Sequence, residues 1–143
     1  MGLDQFAVAI EPMKELAVKV GKHKVIIEKG TKYPVILDDH KELPPHEQIH
    51  QWRKHPSMQG WMDNLYVLKG GTGSFNCVYV NVDLRDLDTL EDVIKGGQLP
   101  ETAGFFFGKD DGSVDERLDD LKFVRKARKA IKQGKLIYYG SWW

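Results

Sequence analysis

The chain has 143 residues, enough for one domain that buries about two-thirds of the surface its unfolded form would expose. Hydrophobic residues make up 41% and charged residues 29%, which is typical of a soluble globular protein. The 21 basic and 21 acidic residues cancel, which excludes a whole-molecule field that would attract nucleic acid or anionic lipid.

Cysteine usage and the distribution of apolar residues predict a cytoplasmic protein. Cys77 is the only cysteine, so an internal disulfide is excluded, and this suits a reducing compartment. No apolar run approaches the roughly 20 residues that a membrane helix needs. Residues 1–6 lack the basic and apolar regions of a secretory signal. We therefore expect no membrane association.

The N-terminal part of the chain, up to residue 43, is predicted to be rich in β-structure. Alternating small apolar residues indicate a first strand over 3–10, and further β-prone segments cover 16–20, 24–28 and 33–37. Turns containing glycine separate them, as in a small meander. Pro34 lies in the last of these segments, which we place at a sheet edge because proline cannot donate a ladder hydrogen bond.

Prolines bound a predicted helix in the middle of the chain, over residues 44–54. Pro44-Pro45 is tolerated in a first helical turn. The helix should end before His55, because a residue that precedes a proline is driven out of the α region. Ser57 is then predicted to cap a second helix.

Helices and strands alternate from residue 57 onward. A β-prone run at 75–82 leads to Asp83, which we expect to cap a helix, and short strands are predicted at 102–108 and 135–143. A capping box at 113–116 begins the last helix. The apolar face of the Asp83-capped helix is predicted to comprise Leu84, Leu87, Leu90 and Ile94. The buried stripe of the last helix is predicted to comprise Val114, Leu118, Leu121, Val124 and Ile131.

This order of elements predicts an α/β (equivalently α+β) fold. We expect one domain over residues 1–143, with a β-rich part over 1–43 and alternating helices and strands over 44–143. The sheet is predicted to be mixed, with about four to six strands packed against three or four helices. Because chain ends fray unless they are tied down, Trp142 and Trp143 should dock into the protein's own core or into a partner subunit of a homo-oligomer.

Several short strings carry a likeness to known sequences. They are Met1-Gly2-Leu3-Asp4, Trp52-Arg53-Lys54-His55 leading to Gly60-Trp61-Met62, Phe75-Asn76-Cys77, Thr102-Ala103-Gly104-Phe105-Phe106-Phe107-Gly108, and Ser141-Trp142-Trp143. In these strings the chain resembles a family of uncharacterised proteins of tailed bacteriophages, prophages and bacteria. The resemblance touches both ends and the middle but not residues 11–44. It implies a phage-type accessory protein in the host-cell cytoplasm and no particular chemistry.

His46-Glu47-Gln48-Ile49-His50 matches the H-E-x-x-H pattern of zinc hydrolases. On a helix, residues four apart share a face, so His46 and His50 could hold one zinc ion while Glu47 acts as general base on its water. Against this, the predicted helix begins at Pro45, the apolar lead-in is missing, and no third ligand is evident. His46 also lies outside the pattern of the family. The alternative is a solvated helix start with incidental histidines.

Trp52, Arg53, His55 and Trp61 are predicted to form a recess of aromatic and polar side chains. Arginine offers a planar fork to phosphate or carboxylate, and tryptophan can stack on a ligand or hold a cation. Two helix ends should meet here, one of them with unpaired backbone N–H groups. The alternative is that both tryptophans anchor helices on the sheet while Arg53 pairs with an acid.

The last helix separates its charges along its length, with acidic residues first and basic residues after them. The acidic residues are Asp115, Glu116, Asp119 and Asp120, and the basic ones are Lys122, Arg125, Lys126, Arg128, Lys129 and Lys132. Complementarity with the helix dipole on a solvated face explains this order. The alternative is a basic strip for nucleic acid, with Tyr138 and Tyr139 as stacking residues. Zero net charge favours the solvated face.

Two other patterns are interpreted as structural. The glycine-rich segment at 70–74 lies between a helix and a strand, whereas phosphate-binding loops join a strand to a helix, so we expect a connector. Cys77 lies in a β-prone run, and a nucleophilic cysteine needs a base and a lowered pKa. We therefore predict a buried structural thiol.

Together these patterns favour a phage-type cytoplasmic accessory protein that binds a host protein or a small anionic ligand without turnover and without a cofactor. The predicted binding residues are Trp52, Arg53, His55, Trp61 and Trp142. The first alternative is a zinc-dependent hydrolase with His46 and His50 as ligands and Glu47 as the catalytic base. The second is a weak nucleic-acid binder that uses the last helix.

Overall fold

A computed structural model describes residues 3–11, 25–28, 31–37, 46–100 and 114–143. This part of the chain folds into a five-stranded sheet, a separate two-stranded hairpin and three helices. The predicted α+β class is confirmed. The elements in chain order are β1 Asp4–Ile10, β2 Val25–Glu28, β3 Thr31–Pro34, β4 Ile36–Leu37, β5 His46–Arg53, α1 Pro56–Leu68, β6 Val78–Asn81, α2 Leu84–Lys95, α3 Val114–Lys132 and β7 Leu136–Trp142.

The five-stranded sheet has the order β4-β6-β7-β1-β5, and each of its pairings is antiparallel. β2 and β3 pair only with each other among the described strands. β1 pairs with β5 on one side and β7 on the other, so the N-terminal part and the rest of the chain share one sheet. β7 is the central strand of the sheet. Trp142 and Trp143 at its end pack against the chain's own apolar clusters. The Asn76 side chain binds both the backbone N–H and the carbonyl of Trp143.

The two faces of the sheet carry two apolar clusters, because successive residues of a strand point to opposite sides. In β7, Ile137 and Tyr139 belong to the larger cluster, which lies beneath the helices, whereas Leu136 and Tyr138 belong to the smaller cluster on the other face. Trp142 packs beside this smaller cluster, with its ring 5.1 Å from that of Phe6. The core beneath the helices is the one that supports the candidate site.

α2 follows its prediction closely. Asp83 caps it, and Asp86 completes a capping box by accepting the backbone N–H of Asp83. Leu87, Leu90 and Ile94 are buried, but Leu84 is exposed because it sits at the start of the helix. None of the helices in the described ranges is long and apolar enough to cross a membrane.

The helix predicted over residues 44–54 is wrong, because residues 46–53 form strand β5. The whole strand pairs with β1, with an irregularity where Ala7 faces His50 and Val8 faces Gln48, so that Ile49 is an extra residue. After this bulge His50 and Trp52 point inward and Gln51 and Arg53 outward. Backbone pairing of seven of the eight strand residues outweighs the local preference that the flanking prolines suggested.

Two further helix predictions need correction. α1 begins at Pro56 with His55 in the N-cap position, so Ser57 lies within the first turn and does not cap it. In α3, Val114 and Leu118 are 72% and 56% exposed, whereas the buried residues are Asp120, Phe123, Val124, Ala127 and Ala130. The apolar stripe was thus placed on the wrong side of the first turns. The predictions at 16–20, at 102–108 and for a cap at Ser113 lie outside the described residues.

Candidate functional site

Three elements meet at a buried imidazole–carboxylate pair, His55 and Asp120. His55 lies between the end of β5 and the start of α1, and Asp120 lies on the inner face of α3. Nε2 of His55 is 2.8 Å from Oδ2 of Asp120, and both residues are buried. A carboxylate can only accept hydrogen bonds, so this ring nitrogen carries the proton.

Asp120 is held from a second direction by Trp52. The indole Nε1–H of Trp52 donates to Oδ1 of Asp120 at 3.0 Å, and the ring packs against Phe123 with centroids 4.7 Å apart. Each carboxylate oxygen therefore accepts one charge-assisted hydrogen bond, which offsets part of the cost of burying the group. Trp52 and His55 come from one strand end, and together they fix the rotamer of Asp120.

A second carboxylate lies on the other side of the imidazole. Nδ1 of His55 is 3.9 Å from Oε1 of Glu116, whose side chain is only partly exposed. Glu116 and Asp120 are four residues apart on α3, so they project from the same side of the helix. The imidazole of His55 thus lies between two acids of one helix face.

Beneath this group, a network of uncharged side chains fixes the backbone at the start of α1. The Gln5 amide donates to the carbonyl of His55 and accepts from its N–H, both at 2.9 Å. Gln5 also donates to the Tyr139 hydroxyl, which in turn donates to Gln59, each at 2.8 Å. Burial raises the pKa of Tyr139 well above its ordinary value, so the hydroxyl remains a donor.

A cavity of about 190 Å³ opens beside this group. Its described lining consists of Ser57, Ile94, Gly97, Leu99, Glu116, Arg117 and Asp120. Ser57 lies in the first turn of α1, where the helix macrodipole is positive. The cavity therefore combines a positive helix end, one guanidinium, two carboxylates and two aliphatic side chains.

Arg117 is positioned by the C-terminal end of α2. Gly97 adopts φ +64°, and a Cβ at this position would lie 2.7 Å from Nη2 of Arg117. The guanidinium thus rests where only a glycine leaves room, close to the negative end of the α2 dipole. Gly97 and Arg117 both line the cavity.

The structure brings together only part of the predicted recess. Trp52 and His55 meet at Asp120, but Trp52 is 5% exposed, so its indole face is covered by protein. Trp61 is partly buried against the main core, and Arg53 is exposed at 3.9 Å from Asp4. Trp142 lies on the opposite face of the sheet. These five residues do not form one surface.

The H-E-x-x-H string lacks the helix that its zinc interpretation requires. In a strand, residues four apart are separated by roughly 13 Å, whereas two imidazole nitrogens on one zinc lie within about 4 Å of each other. His46 is exposed, and His50 is buried with Nε2 at 3.0 Å from Asp119. Within the described ranges, no group of three or more His, Cys, Asp or Glu side chains is arranged to hold a metal ion.

Carboxylates and backbone carbonyls engage several cations of the predicted basic strip. Arg128 binds Glu91 and Asp88, both at 2.6 Å, which ties α3 to α2. Lys126 donates to the carbonyl of Ile49 at 3.1 Å. The two carboxylates neutralise the charge of Arg128, and Lys126 is held against the protein, which weakens the nucleic-acid interpretation.

Cys77 is exposed, so the prediction of a buried thiol is wrong. It adopts φ 62° in the turn before β6, and β6 begins only at Val78. The turn shifts the start of the strand three residues beyond the predicted position, and this carries Cys77 out of the core.

Sequence reasoning missed Asp120, Glu116 and Arg117, the charged residues of the cavity. A signal for Asp120 was present, since it lies three and four residues before Phe123 and Val124, in phase with the apolar face of α3. A carboxylate in register with buried positions indicates a partnered interior acid. Because all charged residues of the helix were assigned to a solvated face, this signal was not used.

The arrangement can hold a small molecule that carries polar groups. A fixed guanidinium and a positive helix end can accept an anion, while the aliphatic residues exclude water. No family model, curated protein or solved structure matches the chain.

Proposed function

We propose that the protein binds a small ligand bearing an anionic group in the cavity between α1, α2 and α3, without turnover. The observation that carries this proposal is the placement of Arg117 and the N-terminal turn of α1 on one cavity of about 190 Å³. Arginine side chains and helix N-termini each bind carboxylate or phosphate groups independently of the other.

Preorganisation supports a binding role. Gln5 clamps the backbone of His55, and Trp52 and His55 clamp Asp120, so little side-chain freedom is lost when a ligand enters. The supporting hydrogen bonds come from strands and helices of the core, which are more rigid than loops. A cavity with a fixed polar floor and small volume favours a compact ligand.

The surroundings of the imidazole support binding without chemistry. In a hydrolase triad one ring nitrogen takes the nucleophile's proton while a carboxylate holds the other. In His55 a carboxylate lies beside each nitrogen, Asp120 at 2.8 Å and Glu116 at 3.9 Å. This geometry suits a structural and electrostatic role for the ring.

A phage-type accessory role in the host cytoplasm is compatible with this proposal and rests on the sequence resemblance described above. In such a role the protein would sequester its ligand and need no partner for that step. Binding to a host protein is a separate proposal, and a cavity that stays empty in solution would favour it over ligand binding.

Backbone amide NMR on the full chain tests the cavity. Acetate and inorganic phosphate, added separately at millimolar concentration, should shift the amides of Ser57, Gly97 and Arg117. The Arg117→Gln variant should lose this response, because the guanidinium supplies the main attraction. Arg125→Gln is the matched control, since Arg125 is an exposed residue of the same helix that does not line the cavity. Shifts that persist in Arg117→Gln, or no shifts with either anion, would reject the proposal.

A further inference from the structure

We propose that the outer face of α3 is a docking surface for an acidic amphipathic helix of a partner protein. This inference goes beyond ligand binding, because the surface lies on the side of α3 that faces away from the core. We call its residues the α3 stripe, which comprises Leu118, Lys122, Arg125, Lys129 and Lys132.

The α3 stripe runs in one line along the helix. Each of its residues is two positions from a buried residue of α3, and two positions turn an α-helix by about 200°. The stripe therefore lies opposite the core, and all five side chains are exposed. Successive members are four or three residues apart, which is the spacing at which one helix packs along another. The four cations extend over about 15 Å, since a helix rises about 1.5 Å per residue.

The cations of the stripe differ from two other cations of α3 in their contacts. Lys126 donates to the carbonyl of Ile49, and Arg128 binds two carboxylates of α2. Within the parts of the chain that the structure describes, none of the four stripe cations forms an ion pair or a side-chain hydrogen bond. Like charges three or four residues apart on a helix repel each other, so an acidic partner would relieve this repulsion as well as supply attraction.

The N-terminal end of the same face is aliphatic. Val114 and Leu118 lie one turn apart and are 72% and 56% exposed. Packing them against apolar side chains of a partner is favourable, because apolar surface is then removed from water. The outer face of α3 therefore fits a partner with acidic residues at one end and aliphatic residues at the other.

This combination favours a polypeptide over a nucleic acid. A nucleic-acid backbone would present phosphates to the aliphatic end of the face, and the exposed acids Asp115 and Asp119 would repel them. Tyr138 and Tyr139, the predicted stacking residues, are 1% and 0% exposed and offer no platform for bases. The zero net charge of the chain adds no long-range attraction to a polyanion.

The order of aliphatic and basic residues also determines the orientation of the partner helix. In an antiparallel pair, the first turns of the partner helix lie against Lys129 and Lys132. Acidic residues in these turns are stabilised by the dipole of their own helix as well as by the two lysines. The aliphatic residues of the partner then follow and lie near Leu118. The partner helix thus carries Asp or Glu in its first half and aliphatic residues after them.

Fluorescence anisotropy with labelled synthetic peptides tests this surface on the full chain. The peptides have about 20 residues, because shorter helices are only marginally stable in water. The first peptide carries Glu at heptad spacing in its first half and Leu in its second, the next has the reverse order, and the last has Gln in place of Glu. We expect the first peptide to bind about tenfold more tightly than the Gln peptide and about threefold more tightly than the reversed one.

Variants of the stripe locate the binding and identify its chemistry. Lys122→Gln combined with Lys129→Gln should weaken binding of the first peptide about tenfold. Arg85→Gln combined with Lys95→Gln is the matched control, since it removes the same charge from α2 and should leave the affinity within about twofold. Leu118→Gln, a change at an exposed position, should weaken binding of the first peptide but not of a DNA duplex.

Three outcomes would overturn the proposal. One is equal binding of the Glu and Gln peptides, and another is an α2 control variant that binds as weakly as the stripe variant. The third is a DNA duplex that binds more tightly than the first peptide, which would make the face a nucleic-acid surface. Tighter binding of the reversed peptide would overturn the antiparallel orientation. None of these results depends on whether acetate or phosphate enters the cavity, so the two proposals are tested separately.

Discussion

Two imidazole–carboxylate pairs connect β5 and its end to α3, and they differ in where the acid lies. His50 contacts Asp119 at 3.0 Å, and His55 contacts Asp120 at 2.8 Å. Both imidazoles are almost fully buried. The Asp119 side chain is 48% exposed, whereas that of Asp120 is 2% exposed. One step along the helix turns the carboxylate from the rim to the interior.

The comparison indicates that an imidazole–carboxylate pair can contribute differently to the free energy of unfolding at two places in one protein. A pair with one partner in solvent contributes about 0–1 kcal/mol, because water competes for the carboxylate and salt screens it. A buried pair contributes little against an apolar substitute, yet breaking it is costly since the remaining group stays buried without a partner. We call His55–Asp120 the inner pair and His50–Asp119 the outer pair. Of the two, only the inner pair borders the cavity, so a change there should affect both folding stability and ligand binding.

The largest expected effect is that of Asp120→Ala. Removing this carboxylate leaves His55 and the Trp52 indole buried without their acceptor, so the free energy of unfolding should fall by about 3–5 kcal/mol. Urea denaturation measures it. Asp119→Ala, the matched change one residue earlier, should cost no more than about 1 kcal/mol. Equal losses in the two variants would show that the inner and outer pairs are equivalent.

The second effect concerns the network beneath the inner pair. Tyr139→Phe removes a hydroxyl that accepts from Gln5 and donates to Gln59, both buried. We expect a loss of about 1–3 kcal/mol, the cost of leaving buried polar groups unsatisfied. The same urea titration detects it. Tyr138→Phe, on the other sheet face, provides a comparison, and a larger loss there would contradict the importance of this network.

The third prediction compares two glycines that follow helices with positive φ. Gly97→Ala and Gly134→Ala should each cost about 1–2 kcal/mol, because both positions, at φ +64° and +86°, are left-handed. Only Gly97→Ala places a methyl group against Arg117, whereas no described atom lies within 4 Å of that position at Gly134. Acetate-induced amide shifts should therefore disappear in Gly97→Ala alone. Their survival there would show that Gly97 does not position the Arg117 guanidinium at the cavity.

The smallest effect concerns a third ion pair, Glu91 with Arg128, which connects α2 to α3 at the protein surface. The hydrogen bond from Arg128 lowers the pKa of Glu91 below its ordinary value of 4.5. A lowered carboxyl pKa stabilises the folded state at pH values above the ordinary pKa, and this contribution is lost as the pH falls through the folded value. Glu91→Gln should thus cost about 0.2–1 kcal/mol at pH 7 and less at pH 3. Urea midpoints at both pH values measure it, and a difference that grows in acid would refute this sign.

Sequence patterns predicted the strands and helices whose local preferences agree with their positions in the fold. β1 and β7 alternate or carry dense apolar residues, and α2 has a cap and an apolar face, so all three were predicted. β5 was not, because the prolines that flank it were given more weight than the alternation of His50 and Trp52. Sheet pairing between distant segments decides such cases.

The site was only half visible for a related reason. His55 was predicted from its position at a break between elements, and the structure keeps it at the site. Asp120 was missed because an acid on a charged helix is usually solvated, and its burial depends on a partner 65 residues away. Single-sequence patterns report which side of a helix is apolar but not which distant group will meet it.

The central position of β7 also has a consequence for biosynthesis. Among the described strands, the pairs β1–β5 and β4–β6 are joined only through residues 136–142, which follow all the other strands of the sheet in chain order. A nascent chain that has not released them holds two strand pairs without the strand that connects them. Stable closure of the sheet must therefore wait until translation has passed this segment, and until then the exposed strand edges would be natural substrates for chaperones.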